Sequence, residues 1–143
     1  FALDGIETED HYNLPLVTCH SSLVLDWSPM IQAILADVER NVSVAIISAK
    51  FHNALAAAIV AVARQVGEPR VALSGGCFQN RYLTERTVSR LRDEGFQPYW
   101  HQRVPTNDGG IALGQVMAAR CELARTARCV VRTPQRGVPT FAS

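Results

Sequence analysis

The sequence lacks an excess of either charge. It carries 14 Lys and Arg residues against 13 Asp and Glu residues, which leaves a formal net charge of +1. Such a balanced surface produces no strong electrostatic field, so neither a nucleic acid nor a membrane is expected as a partner. Hydrophobic residues make up 48% of the 143 residues, a composition typical of one folded domain.

Cysteine motifs are absent as well. The cysteines at positions 19, 77, 121 and 129 form no Cys-x-x-Cys pair and show no zinc-finger spacing. A chain of this length does not depend on disulfide bonds for its stability. The cysteines are therefore predicted to be reduced thiols, which indicates a cytoplasmic protein.

Signals for export and membrane insertion are also missing. The chain begins at Phe1, has no basic segment followed by an apolar one, and has no uninterrupted apolar run of about 18 residues. We expect neither a secreted precursor nor a membrane-spanning protein, and we interpret the chain as a piece of a longer protein.

The spacing of apolar residues predicts alternating helices and strands. One or two short strands are expected between Leu14 and Leu25, and Ser28-Pro29 predicts a helix start with Ser28 as its N-cap. The buried stripe of this helix is predicted to consist of Ile31, Ile34, Leu35 and Val38.

Later elements are predicted in the order helix (43–66), strand (70–74), helix (80–94), strand (96–102) and helix (108–125). This order indicates an α/β domain over residues 14–125, with a small sheet packed with helices. Residues 1–13, which are acidic, are expected to form a surface lead-in segment. Residues 126–143, where the periodicity disappears, are expected to form a flexible tail.

A pair of glycines follows the strand predicted at 70–74. In LSGGCFQN, the strand runs into Gly75 and Gly76 before a helix begins. Exposed backbone N–H groups at such a turn can hold a phosphate, and glycine lets a ligand approach the backbone. Asn80 is either the N-cap of the helix or a donor to a ribose. An ordinary strand-to-helix turn is the alternative, because the spacing matches neither G-x-G-x-x-G nor the P-loop.

A second turn, TNDGG at 106–110, follows the next predicted strand. Asp108 lies at a helix start, where its carboxylate could bind a hard metal ion beside phosphates or could simply cap the helix. The carboxyl ends of sheet strands gather ligands, so we expect both turns at the same edge. In the following helix Gly110, Gly114 and Ala118 form a small-residue stripe, which predicts the close approach of another element.

Other candidate residues carry weaker signals. His52 is expected to be a packing residue of its helix, and no histidine pair with metal-ligand spacing occurs. Cys77 follows Gly76 and could be a nucleophile, but a small apolar plug is favoured because no basic residue or histidine is adjacent.

Three sequence blocks support a resemblance to a known family. KFH at 50–52, VALSGGCFQNR at 71–81 and RVPTNDGGIALGQ at 103–115 resemble, in the same order, the C-terminal part of the HypF carbamoyltransferases of nickel-iron hydrogenase maturation. The resemblance covers residues 14–119. It implies one lobe of an actin-like ATPase (ASKHA) fold, related to the TsaD-type tRNA threonylcarbamoyl transferases.

The resemblance also implies chemistry and roles for residues. In this family carbamoyl phosphate and ATP become carbamoyl-adenylate in a YrdC-like domain, and a TsaD-like domain passes the carbamoyl group to the C-terminal cysteine of HypE. By position, Gly75 and Gly76 would approach the nucleotide phosphate, Asn80 would help to hold the nucleotide, and Asp108 would bind a divalent metal, Fe or Zn. The first TsaD-like lobe, with its paired histidines, and the YrdC-like, acylphosphatase and zinc-finger parts are absent from this sequence.

The expected function is therefore that of a C-terminal piece of a cytoplasmic carbamoyltransferase, inactive alone. Its expected partners are HypE and the remaining HypF domains. An O-carbamoyltransferase of secondary metabolism is one alternative, although the FQN block at 78–80 favours HypF. A free-standing nucleotide-binding or scaffolding module without catalytic activity is the other.

Overall fold

The chain alternates short strands with longer helices. The structure, a computed structural model, describes residues 8–19 and 22–131, with side chains up to residue 124. The elements in chain order are β1 (Leu16–Cys19), β2 (Ser22–Leu25), α1 (Ser28–Glu39), α2 (Val44–Val66), β3 (Arg70–Leu73), α3 (Arg81–Asp93), β4 (Gln97–Trp100) and α4 (Ile111–Val131). Two 3-10 helices, Gly76–Gln79 and Asp108–Gly110, precede α3 and α4.

The described strands form two separate two-stranded sheets. β1 pairs with β2 in antiparallel orientation, whereas β3 pairs with β4 in parallel. Parallel strands need a crossover connection, and α3 supplies it here. The register aligns Leu73 with Trp100, so β3 and β4 end side by side. The predicted α/β architecture is confirmed.

Helix α2 lies at the centre of the domain. The Ser43 side chain accepts the N–H of Ile46 at its start, and Gly67 ends it in the left-handed conformation at φ 76°. One apolar cluster joins α2 to α1 and the hairpin, and a second joins it to α3 and the β3–β4 sheet. The prediction that this helix is buried on more than one side is confirmed.

By length and composition alone α2 could also cross a membrane, with a mean hydropathy of 1.6 over its most apolar window. Core helices pass the same test. Asn53 of α2 is fully buried and hydrogen-bonds to Thr8 and Arg86, outside the helix. These contacts identify α2 as a core helix of this fold.

The buried face of α1 differs from the predicted stripe. Three of the four stripe residues are about half exposed: Ile31 at 48%, Leu35 at 58% and Val38 at 56%. The buried residues are Met30 and Asp37. The helix turns Asp37 inward because its carboxylate pairs with Lys50 and the Tyr12 hydroxyl. The spacing of apolar residues could not predict this buried face of α1, because the face contains the charged Asp37.

The cap of α1 also differs from the prediction. Trp27 stands at the N-cap position without a side-chain cap bond, and Pro29 lies in the first turn. Asp26 instead accepts the backbone N–H of Ser28 at 3.0 Å, and this hydrogen bond lowers the pKa of the Asp26 carboxyl. The Asp26 carboxylate, rather than the Ser28 hydroxyl, therefore accepts a backbone N–H at the start of α1.

Residues 8–13 pack against the domain, although a surface segment was predicted there. Tyr12 is only 3% exposed and belongs to the same apolar cluster as Met30 and Ala54. The backbone oxygens of Thr8 and Asp10 accept hydrogen bonds from Asn53. One aromatic ring and two backbone acceptors attach a segment whose side chains are mostly polar. Residues 1–7 lie outside the described residues.

Helix α4 extends beyond its predicted end at residue 125 and reaches Val131, because neither Gly nor Pro interrupts residues 126–131. The rest of the predicted tail, residues 132–143, lies outside the described residues.

Five apolar side chains of α4 are between 49% and 72% exposed: Ile111, Leu113, Val116, Met117 and Leu123. Of the predicted small-residue stripe, Gly110 is closely approached by the backbone of Pro105, whereas a Cβ built on Gly114 would have no neighbour within 4 Å among the described residues.

The buried Asp37 carboxylate leads to a prediction about pH. Hydrogen bonds from Lys50 and Tyr12 hold the pKa of Asp37 below its ordinary value. Ionised Asp37 therefore stabilises the fold above the unfolded-state pKa of about 3.9, and this stabilisation is lost as the pH falls through the lower folded-state pKa. We expect Asp37→Asn to flatten the acid side of the stability profile, measured by urea unfolding at a series of pH values. Glu39→Gln, at the exposed end of α1, should keep the wild-type slope, and an unchanged slope for Asp37→Asn would contradict this assignment.

Candidate functional site

The two glycine turns lie at one edge of the parallel sheet. β3 leads into the first turn and β4 into the second, and the aligned ends of these strands bring the turns together. The backbone N–H of Gly75 donates to the carbonyl oxygen of Thr106 at 3.0 Å. The prediction that both turns share an edge is confirmed, and a direct hydrogen bond joins them.

The Gly75-Gly76 turn has a particular backbone shape. Gly75 has φ 104° and ψ 159°, a conformation that side chains other than hydrogen rarely allow. Gly76 begins a 3-10 helix, and α3 starts only at Arg81. Gly75 therefore precedes a short 3-10 helix that Gly76 begins, rather than the long helix itself, and a Cβ built on Gly76 would have no neighbour within 4 Å.

Asn80 is held by two partners. Its Oδ1 accepts the backbone N–H of Leu83 at 3.1 Å, which makes it the N-cap of α3. Its Nδ2 lies 2.8 Å from Nε2 of His52, whose Nδ1 lies 2.7 Å from the carbonyl oxygen of Ser48. With a proton on Nδ1, His52 donates to Ser48 and accepts from Asn80, so it fixes the orientation of the Asn80 amide. The capping role of Asn80 is confirmed.

His52 is thus a positioning residue for Asn80. Its ring packs edge-on against Phe51 and Tyr82, in agreement with the predicted packing role. The hydrogen bond to Asn80 was not predicted, because His52 and Asn80 are 28 positions apart. The one sequence signal for this contact was that His52 and Asn80 both belong to blocks, KFH and FQN, that carry the family resemblance.

The second turn presents Asp108 to solvent. Asn107 caps this turn, with Oδ1 accepting the N–H of Gly109 at 3.1 Å. Asp108 is exposed and makes no hydrogen bond or ion pair among the described residues. Gly110 is sterically required, because a Cβ there would lie 2.7 Å from the carbonyl oxygen of Pro105. Because Asn107 caps this turn, Asp108 does not have the capping role that was the alternative to metal binding.

One carboxylate by itself does not make a metal centre. Within residues 8–19 and 22–131, no three His, Cys, Asp or Glu residues lie close enough together to hold a metal ion. The exposed and unpaired Asp108 carboxylate suits a divalent cation in chemical type. Any metal at this edge would need further protein ligands from outside the described residues.

An apolar cavity of about 530 Å³ lies between α2 and β3. It is lined by Ile59, Val62, Val66, Leu73, Ser74 and Cys77, among others. Cys77 is an exposed free thiol rather than the predicted apolar plug, because the 3-10 turn directs it to the cavity wall. The cavity reaches the glycine turn through Ser74 and Cys77.

Two polar residues at the strand ends were not predicted. Ser74 follows β3 and His101 follows β4, and Ser74 Oγ lies 3.3 Å from His101 Nε2. In the adjoining loop the Thr106 hydroxyl is buried and has no hydrogen-bond partner among the described residues. The parallel register is what brings Ser74 and His101 together, and the sequence contained no motif that links them.

Comparisons with known proteins agree on one family. A family model described as "Carbamoyltransferase, Kae1-like Domain, second subdomain" matches residues 2–115. The chain is 42% identical over 111 residues to carbamoyltransferase HypF of Synechocystis, which covers 78% of this chain and 14% of that protein. It is 42% identical over 103 residues to the Rhodobacter capsulatus HypF, covering 69% of this chain and 13% of that one.

Solved structures give the same result. A full-length HypF in a phosphate- and nucleotide-bound form matches with a TM-score of 0.73 and 35% identity, over 82% of this chain and 16% of that one. The HypF of T. kodakarensis matches with a TM-score of 0.65 and 26% identity, over 86% of this chain and 16% of that one. The chain thus spans a small part of the length of each of these relatives.

Proposed function

This chain belongs to the HypF carbamoyltransferase family, as the second subdomain of a Kae1-like domain, and from this membership we propose that it forms one wall of a carbamoyl-transfer site. The observation that carries the proposal is the hydrogen bond from Gly75 N–H to the Thr106 oxygen. This bond unites the Gly75-Gly76 turn and the Asp108 turn at one sheet edge, so a single ligand can contact both.

The reaction we propose is transfer of a carbamoyl group from carbamoyl-adenylate, which is made from carbamoyl phosphate and ATP, to the C-terminal cysteine of HypE. The thiolate sulfur attacks the carbamoyl carbon, a carbon–sulfur bond forms, and the carbon–oxygen bond to the adenylate phosphate breaks. AMP leaves with the bonding electrons, and the thiol proton passes to solvent. This chain contributes by fixing the adenylate, which converts an encounter of two molecules into a reaction between oriented groups.

Each proposed site residue has a role in holding that adenylate. Gly75 and Gly76 let its phosphate approach the backbone, since no side chain stands in the way at Gly76. Asn80, oriented by His52, would donate to the nucleotide with the Nδ2 hydrogen that it does not share with the ring. Asp108 would be one ligand of a divalent metal, which when bound supplies positive charge next to the phosphate.

The chain requires its companion domains for this function. The exposed apolar residues of α4 and the single carboxylate at Asp108 both favour completion by the first subdomain. We therefore propose the remaining HypF domains and HypE as partners, and no activity for the chain alone. The exposed thiols of Cys77 and Cys121 suit the reducing cytoplasm.

The test of this function uses a protein of full family length that contains this chain as its second subdomain, called the full-length carbamoyltransferase below. It is incubated with carbamoyl phosphate, ATP and HypE, and the C-terminal peptide of HypE is analysed by mass spectrometry. We expect a carbamoyl group on the terminal cysteine, and none when carbamoyl phosphate is omitted. Nucleotide binding without carbamoylation of HypE would favour a non-catalytic binding module instead.

We expect Asp108→Asn to remove bound metal from the full-length carbamoyltransferase. An amide is a weaker ligand for a divalent cation than a carboxylate, whereas the turn keeps its cap at Asn107. Metal content, measured by mass spectrometry of the purified protein, should fall to background while the melting temperature stays within about 3 °C of wild type. Equal metal content in both proteins would exclude Asp108 as a ligand.

A further inference from the structure

Ser74 and His101 form an exposed polar pair between the two turns. The register of the parallel sheet pairs Leu73 with Trp100, so the residues that follow them emerge side by side at the carboxyl ends of the strands. Ser74 Oγ and His101 Nε2 are 3.3 Å apart. Neither side chain makes another hydrogen bond among the described residues, so their remaining donor and acceptor groups are available to a ligand.

The surroundings of this pair are those of a ligand site. Ser74 is one of the residues that line the apolar cavity between α2 and β3, and the next residue is Gly75, whose N–H is already bonded to Thr106. Thr106 also has a buried hydroxyl without a partner among the described residues, and a bound ligand or water that completes its hydrogen bonds would account for it. Ligands of open α/β sheets bind at the carboxyl ends of strands, where this pair lies.

The pair can adopt two arrangements of hydrogen. If Nε2 is bare, the Ser74 hydroxyl donates to the His101 ring and offers only lone pairs to a ligand. If Nε2 carries a proton, the ring donates to Ser74 Oγ and the hydroxyl hydrogen is free to point elsewhere. An anionic oxygen nearby favours the second arrangement, because it accepts the freed O–H and each hydrogen bond strengthens the next.

We propose that Ser74 and His101 bind a phosphate oxygen of the nucleotide, with His101 Nε2–H donating to Ser74 Oγ and the Ser74 hydroxyl donating to the phosphate. The pair thereby supplies a side-chain donor to a turn in which the backbone N–H of Gly75 is already bonded to the Thr106 oxygen. This inference rests on the proposed nucleotide-binding function. Ser74 contacts the ligand, and His101 is a positioning residue that orients its hydroxyl.

Isothermal titration of the full-length carbamoyltransferase with ATP, and separately with adenosine, tests the pair. A hydrogen bond to a charged group is worth a factor of about ten or more in affinity. We expect Ser74→Ala and His101→Ala each to weaken ATP binding by about tenfold or more, and to leave adenosine binding within about twofold of wild type. Ser74→Thr, which keeps the hydroxyl, and His101→Gln, which keeps a side-chain N–H, should restore most of the ATP affinity.

Two control substitutions match the residue types outside the crevice. Ser89→Ala on α3 and His11→Gln in the first described segment change exposed residues, and both should bind ATP as the wild type does. Unchanged ATP affinity in Ser74→Ala and His101→Ala would overturn the inference while leaving the proposed function standing. Equal losses for ATP and adenosine would also overturn it, since the pair would then not act on the phosphate. A wild-type protein that binds no ATP would instead contradict the proposed function itself.

Discussion

We expect Asn53→Ala to lower the free energy of unfolding of the full chain by about 3 to 5 kcal/mol. Asn53 is completely buried in α2. Its Nδ2 donates to the backbone oxygens of Thr8 and Asp10 at 2.8 and 2.9 Å. Its Oδ1 accepts from Tyr82 at 3.1 Å and from Arg86 at 2.9 Å. One amide therefore joins the first described segment, α2 and α3.

The alanine variant would leave several of these groups without a partner. A buried donor or acceptor that loses its hydrogen bond costs about 1 to 3 kcal/mol, and the lost side chain adds a small cavity. Helix propensity works in the opposite direction, because alanine is a better helix former than asparagine. Any loss of stability therefore reports the buried network and not the helix.

Urea unfolding followed by far-ultraviolet circular dichroism measures this effect. Gln65→Ala is the matched control, because it removes an amide from the exposed end of the same helix. It should change the free energy of unfolding by no more than about 0.5 kcal/mol. Similar stabilities for the Asn53 and Gln65 variants would show that the Asn53 network contributes little.

We expect Gly76→Val to weaken ATP binding by the full-length carbamoyltransferase by tenfold or more, about 1.4 kcal/mol. A branched side chain at this turn would occupy the space through which the phosphate approaches the backbone. The fold should tolerate the change, because a Cβ on Gly76 has no neighbour within 4 Å and its φ is not positive. The melting temperature should therefore remain within about 3 °C of wild type.

A substitution at the neighbouring Gly75 distinguishes the effect of backbone strain from the effect of blocking the ligand. Gly75 has φ 104°, so Gly75→Ala would strain the turn and lower the melting temperature even without ligand. Calorimetric titration with ATP and thermal melting of both variants distinguish the two effects. A folded Gly76→Val protein with wild-type ATP affinity would remove the Gly75-Gly76 turn from the proposed phosphate site.

The α3 unit shows how well local patterns predict structure. Its buried residues include Leu83, Thr87 and Leu91 at the predicted four-residue spacing, and Asn80 caps it. The helix is followed by Gly95 at φ 82°. These features depend on residues only a few positions apart, which is why spacing and cap preferences identify them.

The α1 helix shows where such patterns fail. The apolar spacing selected Ile31, Leu35 and Val38, yet the helix buries Asp37. The partners of Asp37 are Lys50, which lies 13 positions away, and the Tyr12 hydroxyl, which lies 25 positions away in a segment predicted to lie on the surface. A carboxylate held by an ammonium group and a hydroxyl reverses the face that hydrophobicity favours, and the apolar spacing within α1 contains neither of these partners.

By itself the sequence determined the helices, most of their ends, the two glycine turns and the family to which the chain belongs, because all of these are encoded by residues close together in the chain. The tertiary structure alone decided which faces are buried and which side chains meet at the sheet edge. The hydrogen bond from Arg86 to the Thr8 oxygen spans 78 positions, and the contact between Ser74 and His101 spans 27. Contacts of this kind depend on strand register and helix rotation, which are set by the packing of the whole domain rather than by local preference.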